Sequence, residues 1–196
     1  MRRTAAVAAV EAAARGSDLF GSVSAVVRRL VPFDGAVWFG ADPGSLFPAG
    51  TVRTENVEVR SCSAYWNDEY RTPDVLLFRD LARAATPAGT LLDATAHRPE
   101  RSPRFRNIMA SRGYGDELRA ALRTGDRTWG NLGLYRAVDL TPFRPGEVET
   151  VLAVAPAIAA ALRSRAAERP SAAPGAGSGI ALFSRTGDLL SHDDGA

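Results

Sequence analysis

The chain has 196 residues, enough for one domain with some chain to spare. It is 45% hydrophobic and 23% charged, which excludes a wholly disordered or fibrous protein. The 24 basic residues are all arginine, against 22 acidic ones, so lysine chemistry is excluded and a net charge of +2 gives no strong field for DNA or anionic lipid.

One cysteine, Cys62, and two histidines, His97 and His192, exclude an intramolecular disulfide, a cysteine-rich zinc site and a three-histidine metal centre. No apolar run reaches the ~18–20 residues that a membrane-spanning helix requires, so no membrane partner is expected. Glu11 and Arg15 interrupt the alanine-rich stretch after Met1-Arg2-Arg3, so this start reads as a helix, not a signal peptide, and the protein as cytoplasmic.

Residues 4–15 predict a helix that stops at Gly16, with Val7, Val10 and Ala14 as a narrow stripe. Ser17 or Asp18 caps a second helix carrying Phe20, Val23, Val27 and Leu30, and Pro32 ends it. Ala36-Val37-Trp38-Phe39 reads as a strand covered on both faces. Asp42-Pro43-Gly44 is turn chemistry, and residues 51–52 and 57–59 are returning strand pieces. Residues 64–85 predict one or two helices, with Val75, Phe78, Leu81 and Ala82 inward and a break at Pro73. A short strand over 89–92 and a polar loop over 93–101 follow. Ser102-Pro103 opens a helix that carries Phe105, Ile108 and Met109 inward and stops at Gly113.

The clearest strand pair is 116–138. Leu118, Ala120 and Leu122 alternate with Glu117, Arg119 and Ala121; after a turn at Thr124-Gly125-Asp126, Leu132 and Leu134 alternate with Asn131, Gly133 and Tyr135. The small residues leave room above the sheet for a ligand or a closely packed helix. A long helix runs from Pro145 to about Glu168, with Pro156 expected to kink it. Residues 170–179 are a proline, alanine and glycine linker, and 180–196 hold a hairpin with a turn at Thr186-Gly187-Asp188.

This order of elements resembles a GAF domain. More closely, it resembles the amino-terminal sensor region of actinobacterial LuxR-type helix-turn-helix transcriptional regulators. The likeness is carried by residues 30–36 (LVPFDGA), 41–46 (ADPGSL), 65–70 (YWNDEY), 102–105 (SPRF), 113–119 (GYGDELR), 129–136 (WGNLGLYR) and 142–148 (PFRPGEV). It spans residues 17–168, and none of these pieces is a catalytic signature. The resemblance implies an α+β fold: a central antiparallel sheet of about six strands flanked by helices, with the amino- and carboxy-terminal helices packed together. It also implies a sensor domain over 1–169, a linker over 170–179, and a hairpin over 180–196 that looks like the opening of a PAS-like segment. The chain stops before a helix-turn-helix. Arg144 stands where the family more often has a serine or threonine, so the last helix is expected to fray there or to be capped by Thr141.

Pocket candidates are Trp38, Tyr65, Trp66, Tyr70, Phe78, Phe105, Tyr114, Leu118, Trp129 and Tyr135, since small-molecule sites are mostly apolar; plain core packing is the competing reading of each. Asn67, Asp116 and Glu117 are candidates to orient a ligand, or else to satisfy backbone amides at element ends. Arg98, Arg101, Arg104, Arg106 and Arg112 form the densest basic stretch; with Glu100 among them and one aromatic, they read as a solvated loop and helix face.

No cofactor, metal ligand or catalytic residue is assigned. The function expected is a non-catalytic regulatory domain that senses a small ligand, dimerises, or both. A homodimer through the terminal helices is expected, with Val7, Val10, Ala14, Val148, Val151, Leu152 and Leu162 as interface candidates. DNA would be met only through a helix-turn-helix that these residues do not contain. The alternatives are a purely structural dimerisation scaffold and a small-molecule enzyme using Cys62 or an Asp116–Glu117 pair. The pair is weakened because neighbouring strand residues point to opposite faces, and Cys62 because no base is placed beside it.

Overall fold

Alanine-rich sequence builds the first element, α1 (Arg3–Ala14), which ends where the Gly16 N–H donates to the Ala13 carbonyl at 3.1 Å. Asp18, not Ser17, caps α2 (Leu19–Leu30): its carboxylate accepts the Gly21 N–H at 3.0 Å, and extended Val31 before Pro32 closes the helix. In this computed structural model the described residues are 3–57, 62–168, 181–183 and 189–192. The predicted linker 170–179, residues 58 and 59 of the returning strand, the turn 186–188 and the side chain of Cys62 lie outside them. The chain divides into one unit over Met1–Ser164 and another over Arg165–Ala196.

In the larger unit, β1 (Gly35–Ala41) is buried along its whole length, as an apolar run covered on both faces requires. It pairs with β2 (Pro48–Glu55) on one side and with β5 (Arg127–Ala137) on the other. In the β1–β2 turn, the Asp42 carboxylate accepts the Gly44 and Ser45 N–H groups. Helices α3 (Cys62–Arg71) and α4 (Phe78–Leu81) follow, then β3 (Ala88–Thr90). Together with β4 (Tyr114–Thr124), these strands form a five-stranded antiparallel sheet in the order β2-β1-β5-β4-β3, one strand fewer than expected.

Three local expectations are corrected. The strand predicted over 89–92 stops at Thr90, whose hydroxyl accepts the Asp93 N–H and starts α5 (Leu91–Ala94). The segment opened by Ser102 is not a plain α-helix, since Phe105–Met109 is wound as a π-helix and Ala110–Arg112 as a 3-10 turn; it does stop at left-handed Gly113. The last helix, α6 (Pro145–Glu168), is capped by Glu147, not Thr141: the Glu147 carboxylate accepts the Arg144 N–H at 2.8 Å. Contrary to the expectation that no apolar run reaches membrane-spanning length, α6 is long and apolar enough, by length and composition only, to cross a membrane. Its buried stripe of Val151, Val154, Ala155, Ile158 and Ala159 packs on the sheet.

The sheet separates two clusters. On one face Trp38, Leu118, Ala120, Leu122, Leu132 and Leu134 meet α1, α2 and α6. On the other, Val37, Phe39, Ala121 and Tyr135 meet Phe78, Leu81, Leu91 and Met109, with Trp66 and Phe105 packed against them. The terminal helices touch through the first cluster and through an Arg3–Glu149 ion pair. Arg136 ties β5 to this face: it donates to the Pro32 carbonyl, pairs with Glu147 at 2.9 Å and stacks on the Phe143 ring.

In the smaller unit, β6 (Ala181–Phe183) and β7 (Leu189–His192) pair antiparallel, with Leu182 opposite Ser191.

Because Leu118 is wholly buried beneath the helices, Leu118→Ala is expected to lower the unfolding free energy by about 2–5 kcal/mol in urea titration. A loss below ~1 kcal/mol would contradict this placement.

Candidate functional site

Glu117 and Arg119 sit two residues apart on β4 and therefore share a face, the one under α3. Both side chains are wholly buried. An isolated charge there would be untenable, and each is held by opposite charges on other elements. Arg119 Nε donates to Glu117 Oε1 at 3.0 Å, Nη1 to Glu69 Oε2 at 2.8 Å and to the Leu76 carbonyl at 3.0 Å, and Nη2 to the Tyr65 hydroxyl at 3.2 Å. Its guanidinium lies 3.8 Å from the Phe78 ring centroid.

Arg104 takes the other Glu117 oxygen: Nε donates to Oε2 at 2.7 Å, and Nη1 donates to Asp74 Oδ2 at 3.1 Å. Asp74 also accepts from the Ser102 hydroxyl at 2.8 Å and the Arg104 N–H at 3.0 Å. Glu69 closes the circuit by accepting the Phe78 N–H at 2.6 Å, which fixes the start of α4.

The electrostatics follow from this packing. Burial alone would push the Glu117 carboxyl up, but Arg104 and Arg119 outweigh it and hold the group below the usual carboxylate range. For Arg119, burial opposes the charge, yet Glu117 and Glu69 keep it well above the ordinary arginine value. Burial pushes the Tyr65 hydroxyl up to about 12, and Tyr135 moves the same way through burial and the adjacent Glu117 charge. Tyr70 also rises to about 12, from burial with Glu69 and Tyr65 nearby, and Tyr114 rises by burial and Asp34.

From this network toward the surface runs a chain of rings. Phe78 meets Phe39 edge-on at 5.1 Å, Phe39 meets Trp66 at 5.2 Å, Trp66 stacks on Tyr70 at 5.9 Å, and Tyr70 contacts the exposed Phe47 at 5.1 Å.

The pocket candidates fall on both faces. Tyr65, Trp66, Phe78, Phe105, Tyr114 and Tyr135 are on the α3 side, whereas Trp38, Leu118 and Trp129 pack against the terminal-helix cluster and cannot line the same cavity. Asn67 is exposed, and Asp116 is committed to backbone, accepting the N–H groups of Leu92, Glu117 and Phe143. The glycines serve separate ends: a Cβ at Gly130 would meet Leu162 of α6 at 2.6 Å, and one at Gly133 would meet Glu117 Oε1 at 3.3 Å.

The largest correction concerns Arg104. Expected on a solvated face, its side chain is only 3% exposed and central to the network. The roles of Glu69, Asp74, Arg104 and Arg119 went unread because their partners are far apart in the chain. One signal was present: Val37 and Phe39 on β1 mark this face as covered, so charges beside them had to be paired.

No family model and no curated protein sequence matches the chain. Its structure is similar to the GAF domain/HD domain protein from Geobacter sulfurreducens (15% identity, TM-score 0.54, covering 85% of this chain and 99% of that one). It is also similar to a far-red absorbing dark-state protein with bound biliverdin IXa (13%, 0.55, covering 83% and 97%). A third likeness is to the VqsR LBD domain from Pseudomonas aeruginosa (13%, 0.54, covering 85% and 98%). The chain has the GAF fold.

Arg119→Met leaves Glu69 and Glu117 short of a partner and is expected to cost about 3–5 kcal/mol in chemical denaturation. A cost under ~1 kcal/mol would show that the network does not support the fold.

All four tyrosines are raised. The stability linked to them is therefore complete below the unfolded value of about 10 and is lost as the pH climbs past it. Phenolate absorbance should stay low at pH ~10 and rise mainly above it, whereas all four tyrosines titrating in the native protein at the ordinary value of about 10 would contradict the burial.

Proposed function

We propose that this chain is a non-catalytic regulatory domain that senses a small molecule on the α3 face of its sheet. The observation that carries the reading is the composition of that face: a buried set of fixed charges and tyrosine hydroxyls bordered by a row of rings that reaches the surface. This combination suits a ligand site that is mostly apolar with a few oriented polar groups. Acid–base catalysis is less well served, because each carboxylate of the network is already engaged by arginine, hydroxyl or backbone N–H groups. The likeness to a structure with bound biliverdin and to an LBD domain supports the sensor reading.

The resemblance of segments 30–36, 65–70 and 129–136 to LuxR-type regulators extends the proposal to a transcriptional regulator acting in the cytoplasm. Signal would leave by population shift: a ligand that fits one arrangement of α3 and the sheet better than another biases the domain toward it. A homodimer through α1 and α6 belongs to the same proposal, with a narrower set of residues. Val10, Ala14 and Val151 are buried within the chain's own core, and Val7, Val148, Leu152 and Leu162 are half-buried against it.

Amide shift mapping against pooled metabolites tests the reading. An effector is expected to move resonances of Trp66, Phe78, Phe105 and Tyr135 with those of Trp38 and Val154 nearly still. Silence across the pools, or shifts confined to α1 and α6, would favour a scaffold instead.

A further inference from the structure

Of the five charged groups in the buried network, four stand on regular elements: Glu69 on α3, Glu117 and Arg119 on β4, and Arg104 in the helical turn after Ser102. These four balance one another, two positive against two negative. Asp74 is the exception. It lies on the connection between α3 and α4, and it makes the network one negative charge richer.

What Asp74 occupies is a built oxyanion position. The Ser102 hydroxyl, the Arg104 N–H and Arg104 Nη1 converge on its Oδ2 at 2.8, 3.0 and 3.1 Å, and both charged side chains are nearly excluded from solvent. The connection holding Asp74 is under backbone strain. Leu76 takes a left-handed φ of 54°, a conformation that a leucine keeps only while its surroundings impose it. Those surroundings are again the two arginines, which hold the Val75 and Leu76 carbonyls.

We propose that Asp74 is an internal occupant of an oxyanion seat on Arg104 and Ser102, and that the sensed molecule carries a carboxylate, phosphate or sulfate that takes its place. The proposal rests on the sensor reading above. Exchange of the Asp74 carboxylate for another singly charged oxyanion (a carboxylate, a phosphodiester or a sulfate ester) leaves the buried charge balance as it was, so the low-dielectric interior does not oppose it. An apolar group in that position would leave the Ser102 hydroxyl, the Arg104 N–H and Arg104 Nη1 without an acceptor. Release of Asp74 also frees the strained connection that leads into α4, which is the two-state element a sensor requires.

The experiment empties the seat. Asp74→Ala should be stabilised by formate, acetate or phosphate relative to chloride at equal ionic strength, while the unaltered protein, whose seat is filled, responds equally to all four. With a dissociation constant of about 10 mM, about 100 mM formate shifts the folding equilibrium of the variant about tenfold. The nitrogen-15 Nε resonance of Arg104 should move with formate in that variant alone. Asp74→Asn keeps the seat occupied and should be indifferent to formate. An Asp74→Ala protein that shows no preference among the anions, or that fails to fold in formate as well as in chloride, overturns the proposal. So does an effector of the unaltered protein that has no oxyanion. Rescue is read on the emptied seat, so its success with no effector found would remove the sensor reading and leave the seat standing.

Discussion

Charged groups lose most of their hydration when a sheet is covered on both faces, and a single one left unpaired there would remove a large share of a domain's stability. The α3 face holds two arginines and three carboxylates under this constraint. Each has a partner on another element, so the network makes the placement of α3, the α3–α4 connection, the segment after Ser102 and β4 mutually dependent. Apolar packing would tolerate small slips between these elements. Arginines that each bridge two carboxylates tolerate few, because guanidinium donors have fixed directions.

The sheet consequently works as a partition between unlike interiors. Beneath the terminal helices lies an apolar cluster, where Gly130 lets α6 approach and Trp38 packs against Phe20 at 6.0 Å. On the other side lies a polar network set in a ring of aromatics, where Gly133 leaves space for a carboxylate. The first side resembles a structural interior. The second offers directed donors and acceptors that could discriminate among ligands, on elements that include a strained connection. In the proposed function, sensing belongs to that second side and the output to the helices behind the sheet.

Local chemistry was legible wherever a residue acts on its near neighbours. Asp18 capping α2, Pro32 closing it, Gly113 ending the irregular segment and the β4–β5 pairing all follow from contacts a few residues apart or from a strict two-residue period. Failures came where one of several possible partners, near or far in the chain, decided the local outcome. Thr90 ended a strand because its hydroxyl found the Asp93 N–H, and the Arg136-bound Glu147 capped α6 in place of Thr141. Arg104 sits among other arginines in the sequence, and nothing local separates it from its solvated neighbours.

By itself the sequence determined the class of the fold, the succession of elements and the poverty of reactive side chains, because propensity, periodicity and composition are properties of neighbouring residues. Only the tertiary structure decided which polar residues are interior, which aromatics share a face, and that Asp74 meets Arg104. Those outcomes depend on strand order and on contacts across tens of residues, and burial turns an ordinary charge into a demand for one particular partner.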